Sequence, residues 1–294
     1  MKLTFSPLWC SDERALLGEN PLWDDASGEL YWVDAANPAV YRLSPGAGVR
    51  RYALPRPVAS IFLSHPGRLV VAMRRSVVEL DLGSGRQVAD LGLSPPSENE
   101  RFNDGRCGPD GALWISTMDR ELKRDIGSLA RMDSAGGRQS FGTSAALGNG
   151  VCFSPDGGTL YFSDTQRRTI FRYVLRDGLP AERTVFAQLD AAPGRPDGCT
   201  VDADGCLWSA RAGGGRIDRY APDGRLIDYL ETPVSHPTHC AFGAGGLYIT
   251  SLRYPEASFR GQPLAGATLA HRIDVQGLPQ ARFLSSATAA NTEV

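Results

Sequence analysis

The sequence predicts an all-β fold, a six-bladed β-propeller, on three observations. One phrase recurs six times at propeller spacing, short apolar runs are cut by turn residues, and no ten-residue amphipathic helix interrupts the series. Length fits: 294 residues is long for an ordinary domain but usual for a closed β architecture, so one domain over 1–294 is expected.

The repeated phrase is a turn with Asp, Pro or Gly, then Leu and an aromatic or β-branched strand. Its copies read ASGELYWVD, HPGRLVVAM, PDGALWIST, DGGTLYFSD, ADGCLWSAR and GAGGLYITS. The leading leucines, Leu30, Leu69, Leu113, Leu160, Leu207 and Leu247, are separated by 39, 44, 47, 47 and 40 residues. That period corresponds to one four-stranded sheet per repeat. The 33 glycines and 20 prolines cluster between these runs, as turns do.

A third strand follows in each repeat: VYRL (40–43), VVELD (77–81), LARMD (129–133), IFRYV (170–174), RIDRY (216–220) and LAHRID (269–274). Alternation in these runs predicts half-buried strands. Ring closure requires strands from the termini, and LTFSPLW (3–9) and ARFLSS (281–286) are the candidates.

Charge narrows the partners. Lys and Arg number 31 and Asp and Glu 33, so no basic field exists to hold nucleic acid. The first residues lack the pattern of an export signal, and no apolar run reaches eighteen residues. A soluble, cytoplasmic monomer that contacts no membrane is expected. Six cysteines without CxxC pairs read as small buried hydrophobes of a reducing compartment, although Cys199 lies close enough to Asp197 to be a thiol near the site.

The strand before each repeated turn should line the central channel. Ten or eleven residues before each leading leucine stand Glu19, the Ala59–Ser60 pair, the Phe102–Asn103 pair, Asn149, Asp197 and the His236–Pro237 pair. Four blades thus present Glu, Asn, Asn and Asp at one register, aimed at a common point. Like carboxylates converging in a narrow channel repel unless a cation sits between them. Oxygen ligands with amides favour Ca2+, Mg2+ or Mn2+ and, with water completing the shell, admit Zn2+ or Fe2+. Read singly, Asn149-Gly150 and Asp197-Gly198 are ordinary turn dipeptides; their shared register argues for the site.

The stretches LLGENPLWDD (16–25), RFNDGRCGPDGALWISTMD (101–119), LGNGVCFSPDGGTLYFSDT (147–165) and RPDGCTVDADGCLWSARAGGGRI (195–217) resemble the regucalcin/gluconolactonase family, and the resemblance covers nearly the whole chain. It implies a six-bladed propeller that hydrolyses aldono-1,4- or 1,5-lactones of small sugars with one divalent ion. It makes Glu19, Asn149 and Asp197 the metal ligands. It makes Arg101 and Asn103 substrate contacts, with Asn103 also within reach of the metal directly or through water. Glu121 follows as a further substrate contact, but the segment after it is shorter than the family's.

On this reading the ion polarises the lactone carbonyl, and Asp197 orients or deprotonates the attacking water. Glu19 is the rival base, and the ion alone, lowering the pKa of water, is the third option. No G-x-S-x-G elbow exists to suggest a serine hydrolase. His65 and His271 read as structural, while His236 stands near the channel register. Two other classes fit the fold: a phosphotriesterase-type hydrolase on the same metal, and a non-catalytic calcium-binding propeller. Two long connections between second and third strands, about Asp119–Gly127 and Arg253–Gly266, should overhang the site as lids, carrying Arg120, Glu121, Lys123, Arg124, Arg253, Tyr254 and Arg260.

Overall fold

The computed structural model describes residues 2–285. Every leading leucine of the six repeats is 1% exposed or less, so the repeated phrase marks the strand that anchors each blade in the core. Burying one such leucine contributes about 1.5–3 kcal/mol, and Trp32, Trp114 and Trp208 beside three of them are also fully buried.

Six antiparallel sheets result. The first runs Gly18–Asp24, Glu29–Asp34, Ala39–Ser44 and Gly48–Ala53 from the axis outward. The innermost strands of successive blades are Gly18–Asp24, Val58–Leu63, Glu100–Cys107, Gly148–Phe153, Arg195–Val201 and Pro237–Gly243. Each neighbours the next around the ring, and the sixth neighbours the first. The protein is a six-bladed β-propeller.

Most third strands are covered on both faces, where alternation predicted one exposed face; blade four keeps Val174 exposed. Adjacent blades stack on each sheet, so side chains on either face meet a neighbour. Polar residues there are neutralised locally: buried Glu79 accepts from Ser64 Oγ and Arg68 Nη1, each at 3.0 Å, and buried Asp218 pairs with Arg211 and Arg216. Exposure falls instead on outer strands such as Arg86–Asp90 and Arg138–Gly142.

Closure uses only the first of the two candidate segments. Pro7–Cys10 pairs antiparallel with Leu269–Arg272 as the outer strand of blade six, and Lys2–Leu3 adds a parallel edge to Leu226–Glu231 of blade five. The second candidate crosses to blade two: Phe283 N donates to Leu63 O at 2.9 Å and Arg282 Nη1 to Ser64 O at 2.9 Å. Arg282 also pairs with Asp24, and the Phe283 ring is fully buried. Ser286 of that segment lies outside the described residues. No helix among the described residues is long and apolar enough to cross a membrane.

Candidate active site

Each inner strand breaks its pairing register near its start: between Glu19 and Leu22, Val58 and Ser60, Phe102 and Gly105, Asn149 and Cys152, Pro196 and Cys199, and Pro237 and His239. A bulge re-aims the side chains beside it. Six bulges at one level turn polar groups toward the axis that a regular ladder would have buried between blades. Two positions need special backbone: Asn20 at φ 49° and Gly150 at φ 56°. Asn tolerates this left-handed region better than most residues.

Glu19, Asn103, Asp104 and Asn149 line one cleft of ≈ 160 Å³ with Arg74, Arg101 and Tyr254. Asp197 belongs to the same cluster, since its charge helps raise the pKa of Glu19. Burial first, then the charges of Asp197 and Asp104, pushes the Glu19 carboxyl well above the usual range. Burial and the Asp104 charge do the same to Asp197. Each carboxylate receives one backbone N–H, from Asn20 or Gly198, and among the described residues no side-chain donor.

Asn149 is held from behind. Its Nδ2 donates to Thr165 Oγ1 at 2.9 Å, and that hydroxyl donates to Pro196 O at 2.8 Å. Thr165 thus ties Asn149 to the residue before Asp197 and leaves the Asn149 amide oxygen facing Asn103, whose Nδ2 donates to it. Asn103 Nδ2 also donates to Gly148 O at 3.0 Å.

Asp104 knots the blades together beneath this cluster. It accepts from Asn20 Nδ2 at 3.1 Å, Gly105 N at 2.8 Å and Val151 N at 3.0 Å, joining blades one, three and four. His239 Nε2 of blade six lies 3.4 Å away. Because His239 Nδ1 accepts from Cys240 N at 2.8 Å, the ring proton sits on Nε2 and points at Asp104. Burial opposes ionisation of Asp104, but His239, Arg106 and the Val151 N–H outweigh it and hold its pKa below the usual value. A charged Asp104 is therefore a fixed neighbour of Glu19 and Asp197.

The donor set fits a hard cation: two carboxylates short of hydrogen-bond donors and the amide oxygen of Asn149, as oxygen-ligand sites require, while Asn103 turns its amide nitrogen to this cluster and its oxygen to Arg101. Among the described residues no group of three or more His, Cys, Asp or Glu has metal-holding geometry. Here two of the three donors, Glu19 and Asp197, are acids and the third, Asn149, is an amide.

Arg101 is half-buried in the cleft, and burial together with the Arg74 charge brings its pKa down to about 10. Glu121 is exposed, pairs with Lys123 at 3.2 Å and does not line the cleft. Of the two long connections, the blade-six loop borders the cleft through Tyr254. The blade-three loop leans instead toward blade four, where Gln166 Nε2 donates to Leu122 O at 3.1 Å and Arg167 pairs with Asp125. His236 turns aside to Ser235 Oγ at 2.8 Å and to the Phe259 ring, leaving His239 as the channel histidine. Cys199 faces into the core, with its sulfur 3.0 Å from that of Cys152.

Sequence reasoning missed Arg74, Asp104, Thr165 and His239. For Asp104 and His239 the signal was present, since both lie within two residues of register positions. At the other end of the channel Arg106 and residues 278–281 line a second cavity of ≈ 200 Å³.

Fold and cluster define a polar cleft among the inner strands of a propeller, with two carboxylates of raised pKa and neighbouring amide groups. The chain belongs to the SMP-30/gluconolactonase/LRE-like family, whose model matches residues 17–253. It is 36% identical to a 6-deoxy-6-sulfogluconolactonase of Pseudomonas putida over 92% of this chain and 96% of that protein. It is 34% identical to an L-arabinolactonase of Azospirillum brasilense over 93% and 94%. A solved calcium-binding protein, regucalcin from Agrobacterium tumefaciens, superposes with a TM-score of 0.89 at 29% identity, covering 96% of this chain and 98% of that one.

Proposed function

We propose that the protein is a divalent-metal-dependent lactonase that opens a sugar lactone to its aldonic acid. The observation that carries this reading is the pair Glu19 and Asp197, two half-buried, desolvated carboxylates in one charge cluster with no side-chain donor among the described residues, an arrangement that a cation relieves. Relatives named as sugar lactonases supply the substrate class.

Glu19, Asn149 and Asp197 would hold the ion, with Asn103 beside them. When bound, a divalent ion supplies Lewis-acid polarisation of the lactone carbonyl and makes nearby water more acidic. Asp197, the carboxylate at the metal position nearest the attacking water in this reading, takes the proton as water attacks the carbonyl carbon. The ring C–O bond then breaks, and the departing alkoxide regains a proton to give the hydroxy acid. Arg101 and Asn103 orient the sugar. Six cysteines, all free, suit a reducing cytoplasm.

The test compares hydrolysis of an uncharged aldonolactone and of an organophosphate triester, each with and without chelator. Chelator-sensitive turnover of the lactone, well above that of the triester, is expected. Preference for the triester, or lactone turnover indifferent to chelator, overturns the reading.

A further inference from the structure

The turn between Arg68–Met73 and Val77–Asp81 of blade two carries two adjacent arginines whose surroundings differ. Arg75 is fully engaged: it pairs with Glu98 at 2.8 Å and donates to the carbonyls of Ser97 at 3.1 Å and Glu100 at 2.8 Å. Arg74 is anchored only through its backbone, its carbonyl accepting from Phe102 N at 2.8 Å. Among the described residues its guanidinium forms no ion pair and no hydrogen bond, and it lines the cleft with Glu19, Asn103 and Asn149.

Arg101 faces the same space. Its guanidinium donates only to neutral oxygens, Phe102 O at 3.2 Å and Asn103 Oδ1 at 3.3 Å, and it too has no carboxylate partner among the described residues. The acids of this cleft are already engaged. Asp104 is filled by Asn20, Gly105 and Val151, and Glu19 belongs to the cation cluster with Asp197. Asn103 stands between the two regions, giving its amide nitrogen to Asn149 and its amide oxygen to Arg101. Two guanidiniums, Arg74 exposed and Arg101 half-buried, therefore share one cleft with no carboxylate partner for either among the described residues.

An uncharged polyol does not call for this arrangement. Hydroxyls are satisfied by neutral donors and acceptors, whereas paired guanidiniums match the oxygens of a sulfonate, phosphate or carboxylate through charge-assisted, bidentate hydrogen bonds. We propose that Arg74 and Arg101 form an anion subsite and that the preferred substrates are sugar lactones carrying a fixed negative charge away from the reacting carbonyl. The proposal rests on the lactonase reading for its chemistry but not for its binding.

The test measures kcat/KM for a neutral aldonolactone and for ring-matched lactones bearing a 6-sulfonate, a 6-phosphate or a uronic carboxylate. Wild type and Arg74→Gln are compared at low and high salt. Wild type should favour the charged lactones by about tenfold or more, the scale of one charge-assisted hydrogen bond. The advantage should shrink with salt and fall by a similar factor in Arg74→Gln, mainly through KM. The ranking of sulfonate, phosphate and carboxylate identifies the group accepted. Turnover of the neutral lactone as good as that of every charged one overturns the subsite and leaves the lactonase reading intact. If no lactone is turned over, the lactonase reading fails, and calorimetry with gluconate and 6-phosphogluconate decides the subsite. Tighter binding of the phosphorylated acid, lost in Arg74→Gln, upholds it; equal binding of the two acids overturns it.

Discussion

Gly198 packs against His239 so closely that a β-carbon on Gly198 would lie 2.0 Å from the imidazole ring. The contact sets the path of the chain just after Asp197, and the same ring points its Nε2 at Asp104. Asp197→Asn would alter the donor, but Gly198→Ala alters where it stands. Overpacking of this kind costs about 1–3 kcal/mol, so Gly198→Ala should lower thermal stability and weaken divalent-ion affinity together. The pair His239→Ala and Gly198→Ala should recover part of the stability, since the ring that clashes is gone. A Gly198→Ala protein that binds the ion as wild type does would show that the contact is slack.

The raised pKa values of Glu19 and Asp197 have a definite consequence for the metal-stripped protein. Above about pH 4 the unfolded carboxyls have released their protons, whereas the folded ones still hold them. The folded state then binds more protons, so stability falls as pH rises through this window. Glu19→Gln and Asp197→Asn should each flatten that slope in thermal melts run with chelator. Ion binding to wild type should release protons there, visible as a buffer-dependent heat. Parallel slopes in all three proteins would contradict the assignment.

Asp24 works in the opposite direction. Burial opposes its ionisation, but Arg282, Ser27 and the Ala26 N–H outweigh burial and lower its pKa. Its contribution is complete above the unfolded value near about pH 4 and is lost as pH falls toward the folded one. Arg282→Gln should narrow the acid stability range. Phe283→Ala beside it should cost about 3–5 kcal/mol, the usual loss for a buried phenylalanine, with KM unchanged. Equal melting temperatures for Phe283→Ala and wild type would mean that the C-terminal crossing is not part of the cooperative fold.

The two long loops should behave differently. Tyr254 lines the cleft while 59% exposed, so Tyr254→Ala, or shortening the blade-six loop, should change KM and lactone ranking and leave ion affinity alone. Shortening the blade-three loop should change neither, because its contacts run to Gln166 and Arg167. Steady-state kinetics on both variants against a lactone panel checks this, and a KM effect from the blade-three loop alone would reverse the assignment.

How much of this was legible follows from what a periodic sequence encodes. The leucine spacing reports the blade count because each leucine fills the same core position. Register then brings Glu19, Asn149 and Asp197 to one level without any family knowledge. The bulges were not legible, since an extra residue in a strand leaves no compositional trace, and they explain why Asp104 and His239 sit in the channel while His236 turns away. Arg74 was hidden for a related reason: in the run Arg74-Arg75 nothing local distinguishes the arginine spent on Glu98 from the one left in the cleft. The closure by Pro7–Cys10 was within reach, whereas the crossing of Phe283 to blade two is a long-range contact with no periodic signal.

The central claim is that one cation sits among Glu19, Asn149 and Asp197, and calorimetric titration of the chelator-stripped protein tests it most directly. Wild type should take up one divalent ion per chain, and Glu19→Ala, Asn149→Ala and Asp197→Ala should each weaken binding by tenfold or more, about the loss for an altered ligand shell. Undiminished affinity in all three variants, or no saturable binding to wild type, would contradict the account.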